Sequence, residues 1–232
     1  KLFSKTKYNG TSYAEWDFVE LPSQIMENWA TEPEVLRFYA RNYQTGDPIP
    51  DHLIRKIHAS TLSNQGFATT ELAAAALLDM DLHSITEYKT IDLDAFEQQV
   101  LYEKRGLIPQ IAPRYRAPYF AHIFDGGYAA GYYGYLWAEV LDKDAFQIFT
   151  KSGDLFDREV AQAFRSTILE PGGSSDGMTL FKKFMGREPQ VLPMMVARGL
   201  ADPPAEDSTA LIGGIGIVPD SIQTDSAKIK MP

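Results

Sequence analysis

Apolar residues in this chain recur with the period of a helix and almost nowhere with the period of a strand, which commits it to a mainly α fold. From Asp92 to Gly106 the apolar positions are Leu93, Phe96, Val100 and Leu101, with charges between them. They form one helical face, with Asp92 placed to cap its start and Gly106 to stop it. From Asp154 to Leu169 the set is Leu155, Phe156, Val160, Phe164 and Ile168, followed by Pro171-Gly172-Gly173. The stretch Thr69 to Tyr88 contains the Ala/Leu run Leu72 to Leu78, apolar nearly all round, which predicts a buried helix. Asp51 to Leu62 and Pro22 to Asn42 also carry helical patterns; Pro33 splits the second, with Thr31 expected to cap its latter half. Pro113 to Ile123, rich in proline and aromatics, predicts an extended loop into Asp125-Gly126-Gly127, followed by a helix from about Ala129 to Thr150. No internal repeat is found at periods of about 20 to 50 residues.

Charge and composition exclude several classes of function. Lys plus Arg total 22 against 31 Asp plus Glu, a formal net charge of −9. Nucleic-acid binding needs clustered cations, so a nucleic-acid partner is not expected. No apolar run approaches the ~18 residues of a membrane span, so no membrane partner is expected either. Without cysteine, neither a disulfide nor a Cys-ligated metal site can form. From Ala201 onward, Pro203-Pro204, Asp and Ser residues and Gly213-Gly214 carry no sustained amphipathic pattern. Residues 201–232 are therefore expected to be a flexible or surface-draped tail behind a folded portion, residues 1–200.

Histidine spacing does not build a metal site. The four histidines are His52, His58, His83 and His122, and no His-Glu-x-x-His pair occurs among them. His83, at the end of the Ala/Leu helix, suits a satisfied or surface histidine better than a ligand. Two other stretches are less ordinary. In Asp17-Phe18-Val19-Glu20-Leu21-Pro22-Ser23-Gln24-Ile25-Met26-Glu27-Asn28-Trp29, Glu20 and Glu27 stand seven apart. That spacing puts both carboxylates on one helical face, which suits a cation or a ligand. It equally suits a solvated acidic stripe at a helix start. In His122-Ile123-Phe124-Asp125-Gly126-Gly127-Tyr128-Ala129-Ala130-Gly131-Tyr132-Tyr133-Gly134-Tyr135, the phenols of Tyr128, Tyr132 and Tyr135 follow i, i+4, i+7 spacing. Phenol and imidazole donors aimed at one spot can stabilise an oxyanion. An aromatic core stripe has the same spacing, and the glycines beside it weigh against tight packing.

Together these stretches resemble the C-terminal part of the thimet oligopeptidase and peptidyl-dipeptidase Dcp family of zinc metallopeptidases. The blocks Gly66-Phe67-Ala68-Thr69-Thr70-Glu71-Leu72, Arg114-Tyr115-Arg116 and Ile168-Leu169-Glu170-Pro171-Gly172-Gly173-Ser174-Ser175-Asp176 fit the same family. His-Ile-Phe before the glycines and Tyr-Ala-Ala-Gly-Tyr-Tyr after them are more similar to the Dcp branch. The resemblance implies a nearly all-α, zincin-like fold whose two halves flank a deep channel, this chain lining one wall. It implies hydrolysis of short peptides by a metal-activated water, with Glu20 as a zinc ligand and Glu27 supporting the metal-binding helices. Tyr135 and His122 match the oxyanion donors, and Tyr128 a substrate-binding tyrosine on the mobile loop of Gly126 and Gly127. The family's His-Glu-x-x-His, which supplies two zinc ligands and the general base, is absent. Counting back from Glu20, it is expected just upstream of Lys1, in an N-terminal part of the same peptidase that would be this chain's partner. A non-catalytic helical peptide-binding module that has lost its metal is the competing expectation.

Overall fold

The computed structural model describes residues 14–204. Within them the regular elements are helical, and the only strand-like feature is an isolated bridge between Arg41 and Pro48. The helices are α1 (Leu21–Thr31), α2 (Pro33–Tyr39), α3 (Asp51–Thr61), α4 (Gln65–His83), α5 (Leu93–Glu97), α6 (Ala121–Phe124), α7 (Gly134–Ser152), α8 (Arg158–Phe164), α9 (Gly177–Met185) and α10 (Leu192–Ala197). α5 and α8 each run on as a π-helical turn, to Glu103 and Leu169.

Helix ends follow local chemistry. Asp92 accepts the Ala95 amide at 3.0 Å, and Gly106 follows the π turn at φ 69°, as the sequence pattern implied. Asp176 caps α9 through the Thr179 amide at 2.9 Å. Pro33 does break the first pattern in two, but Thr31 is not the cap. Proline forces the residue before it into extended backbone. Glu32 therefore takes the junction, at φ −63°, ψ 136°, and Thr31 ends α1. α8 is capped by Asp157, which accepts the Glu159 and Val160 amides, so it starts later than Asp154 and leaves Phe156 exposed outside it. The expected extended loop of 113–123 instead contains a 3-10 turn, Ala117–Tyr119, and α6. Buried Phe120 and the buried Glu97 carboxylate, which accepts the Ala117 amide at 3.2 Å, pull this segment inward. α9 and α10 add two short helices to those expected.

Two apolar clusters form the interior. In the first, Phe18, Leu21 and Ile25 pack against Leu141, Ala145, Phe146 and Phe149 of α7, with Phe164, Ile168, Leu180 and Phe181 around them. Gly177 makes this closure possible: a Cβ there would stand 2.3 Å from Phe18 Cγ. In the second, Ala74, Ala75, Leu78 and Leu82 of α4 meet Val100, Leu101, Phe120, Ile123 and Tyr132. α4 is thus buried along one face only, since Leu77 and Met80 on its other side are each 40% exposed. The Ala/Leu run carries no polar stripe to mark that outer face.

Buried charge ties the clusters together. Arg198 donates to Glu139 of α7 at 2.8 Å and to Thr69 Oγ1 of α4 at 2.5 Å. Asp144 on α7, fully buried, accepts two bonds of 2.6 Å from Arg187 and one of 2.9 Å from the Gln190 amide. No helix among the described residues is long and apolar enough to cross a membrane.

Candidate active site

The segment from Phe124 to Gly134 joins the two clusters, and the conformation of its backbone decides where its aromatic side chains point. α7 begins at Gly134 rather than near Ala129. Residues 129–133 form turns, and Ala130 adopts φ 54°, a left-handed conformation costly for a residue with a Cβ. A helix cannot run through such a residue. The three tyrosines therefore meet through a looped backbone and not through helical spacing.

Glycines set the loop's approach to its surroundings. The chain folds back on α6, with the Gly126 amide donating to Ala121 O at 2.8 Å and the Tyr128 amide to His122 O at 2.9 Å. A Cβ on Gly126 would stand 2.9 Å from His122 Cα. Gly127, at φ 82°, faces the Trp16 ring, which would lie 3.1 Å from its Cβ. Trp16 in turn packs on Tyr128 with centroids 4.6 Å apart.

The aromatic rings converge. Tyr128 and Tyr135 stack at 5.1 Å, and Tyr132 meets Tyr135 at 5.2 Å. The His122 ring lies 6.1 Å from Tyr128, 5.5 Å from Tyr132 and 6.3 Å from Tyr135. Tyr115 closes the group, 4.9 Å from His122 and stacked on Phe120 at 5.1 Å. The two readings of the stripe divide by residue. Tyr132 is buried and belongs to the second apolar cluster, whereas Tyr128 and Tyr135 only pack against it and keep part of their surface open.

Glu20 stands opposite them, immediately before α1, with helical backbone at φ −87°, ψ −9°. Its carboxylate accepts from Ser23 Oγ at 2.7 Å and, on the other oxygen, from the Tyr128 phenol. The next turn reinforces the junction, where Gln24 Nε2 donates to the Tyr135 backbone carbonyl at 3.1 Å. Glu27, seven residues on in α1, is exposed, and its side chain bonds to no other described residue. Burial raises the Tyr128 phenol far above its ordinary value, and the hydrogen bond to Glu20 raises it further. Burial pushes Tyr132 up to about 12 against the opposing Arg114 charge. Tyr135 is raised by burial as well. All three phenols are donors at neutral pH.

Glu20 offers one carboxylate towards a metal, and among the described residues no group of three or more His, Asp or Glu side chains could hold one. A catalytic zinc takes three protein ligands and a water. The chain's described residues therefore fit a share of such a site and not the whole of it. Trp16, Tyr115 and Asp79, which shape this group, were not singled out from the sequence. Trp16 stands one residue before the quoted Asp17–Trp29 stretch and Tyr115 within the quoted Arg114-Tyr115-Arg116 block, but nothing in their spacing shows that they meet the loop.

The chain is similar to known peptidases over most of its length. The family model described as peptidase family M3 matches residues 1–200. Dipeptidyl carboxypeptidase of Escherichia coli is 46% identical over 203 residues, 86% of this chain and 30% of that protein. Oligopeptidase A of the same organism is 44% identical over 195 residues, 83% of this chain and 28% of that protein. Saccharolysin of Saccharomyces cerevisiae is 33% identical over 190 residues, 80% of this chain and 26% of that protein. The chain spans under a third of the length of these relatives.

Proposed function

The chain belongs to peptidase family M3, and from that premise we propose that residues 1–200 are the C-terminal part of the catalytic domain of a zinc peptidase that hydrolyses short peptides. The observation that carries the reading is the convergence of Tyr128, Tyr135 and His122 beside the Glu20 carboxylate, from two stretches of chain about 100 residues apart. Glu20 is one zinc ligand. The other two are the histidines of a His-Glu-x-x-His helix outside this chain, in the N-terminal part of the same peptidase. Glu27, exposed on the same face, meets those helices. When bound, zinc supplies Lewis-acid activation of the attacking water.

The work of this chain's own residues follows from their placement. Ser23 and Tyr128 occupy the two oxygens of Glu20 and orient it. Tyr135 and His122 present donors to the oxygen of the scissile carbonyl, where negative charge grows in the transition state. A donor aimed at developing charge stabilises the transition state more than the bound substrate, so its effect belongs in kcat. Tyr128 sits on the loop of Gly126 and Gly127, with Gly127 at φ 82°, and movement of that loop exchanges its bond to Glu20 for one to the substrate backbone. Replacement of Tyr135 by Phe in the complete peptidase tests the reading. It is expected to lower kcat by about 10²–10³ with KM and zinc content unchanged. An unchanged kcat refutes the donor role.

A further inference from the structure

We propose that Asp79 is the positioning residue of the tyrosine loop: its buried carboxylate holds the backbone of 130–132 in the one conformation that directs Tyr128 and Tyr135 towards Glu20. This rests on the donor reading of the site above.

Asp79 lies on α4, 0% exposed, immediately after the Ala/Leu run. A buried carboxylate is tolerated only when its oxygens are satisfied. No Lys or Arg pairs with it among the described residues; its one ionisable partner is His83, a turn further on, whose Nδ1 lies 2.7 Å from Oδ1. The other side-chain bonds leave the helix altogether. Oδ1 accepts the Ala130 amide and Oδ2 the Tyr132 amide, each at 2.9 Å. The carboxylate thus spans the amides of the two residues on either side of Gly131, one of them the left-handed Ala130. His83 Nδ1 also stands 3.0 Å from the Asp79 backbone carbonyl oxygen, so the ring sits against both the main chain and the carboxylate of Asp79.

The consequence for the phenols is geometric. Tyr128 precedes the clamped peptides by two residues, and Tyr135 follows them in the first turn of α7. Alanine disfavours the left-handed conformation at 130, and the local sequence favours helix from Ala129 onward. The Gly131 amide also donates to Tyr128 O at 2.8 Å, but an i→i+3 bond closes helical and left-handed turns alike, so it does not by itself select that conformation at residue 130. A turn that relaxes towards helix rotates Tyr128 away from Glu20 and shifts Tyr135 against His122. Asp79 touches neither substrate nor metal in this account. It acts through the two amides.

The test uses the complete peptidase carrying Asp79→Asn, which keeps the side chain's shape but leaves one acceptor oxygen for two amides. Kinetics with a short peptide substrate are measured beside zinc content, melting temperature and amide hydrogen exchange. The expected result is a kcat reduced about 10–10²-fold, the scale of a small misplacement of reacting groups, with zinc content unchanged. Exchange at the Ala130 and Tyr132 amides is expected to rise at least tenfold while Val140 in α7 is unaffected. Adding Ala130→Gly, which adopts the left-handed turn without strain, is expected to restore part of kcat, and the double variant also serves if Asp79→Asn alone does not fold. A lowered melting temperature with kcat per folded molecule unchanged overturns the proposal, as does unaltered exchange at both amides. If Tyr135→Phe leaves kcat unchanged while exchange at Ala130 and Tyr132 rises in Asp79→Asn, the donor reading falls and the clamp stands.

Discussion

The Tyr128 phenol donates to the Glu20 carboxylate across 108 positions of chain. The bond links the glycine loop to the start of α1, so the loop has a defined resting position. Leaving that position breaks a charge-assisted hydrogen bond. Tyr128→Phe in the complete peptidase is therefore expected to raise KM and lower kcat together, unlike Tyr135→Phe, which acts on kcat alone. Steady-state kinetics on the two variants side by side separate these effects. Identical profiles would show that the tyrosines do not divide the work in this way.

Zinc should depend on Glu20 and on residues beyond this chain. Residues 1–232 by themselves are expected to bind zinc weakly, because one carboxylate does not make a catalytic site. Equilibrium dialysis giving one tightly held zinc per chain would contradict that. In the complete peptidase, Glu20→Ala should remove both metal and activity, measured as zinc stoichiometry and peptide hydrolysis on one preparation.

Asp142 makes stability depend on pH in a direction set by burial. Its carboxyl is raised above the ordinary aspartate value by burial, against Lys143 and the Asn28 hydrogen bond, which lower it. The folded chain holds that proton more tightly than the unfolded one. Stability from this group is therefore greatest at low pH and falls as pH climbs from the ordinary aspartate range through the raised folded value. Asp142→Asn keeps an oxygen for the Asn28 amide, which donates to Oδ1 at 3.0 Å, and removes the buried charge. Urea unfolding at pH 7 is expected to show equal or higher stability in the variant, with this part of the pH slope gone. A marked loss at pH 7 would mean that the charge is needed by Lys143.

The Asp144–Arg187 pair should behave in the opposite way. Asp144 is fully buried, and Arg187 supplies two of its three bonds. Arg187→Ala strands the carboxylate. The loss should fall at the low end of about 3–5 kcal/mol, because the Arg187 side chain is 35% exposed and water can replace part of it. The melting temperature should drop by several degrees, and Asp144→Asn in the Arg187→Ala background should restore part of it.

The mainly α class, most of the helices, and the two stretches that meet at the site were legible in the sequence. Each is written in local terms: period 3.6, capping aspartates, a proline break, and a family motif that survives in order. The loop's true geometry was not legible. Tyr128, Tyr132 and Tyr135 have helical spacing, and propensity alone extends α7 back to Ala129. Asp79, about 50 positions upstream, takes the Ala130 and Tyr132 amides and supports a left-handed turn there instead. Nothing local to either residue signals that bond, because a buried aspartate after an Ala/Leu run looks the same whether its partner is water, lysine or a distant amide. The sequence by itself thus determined which side chains carry donors and that the chain around them is mainly helical. The tertiary structure alone decided that Tyr132 is core while Tyr128 and Tyr135 stay partly open, since burial and long-range hydrogen bonds are properties of packed surfaces and not of residue spacing.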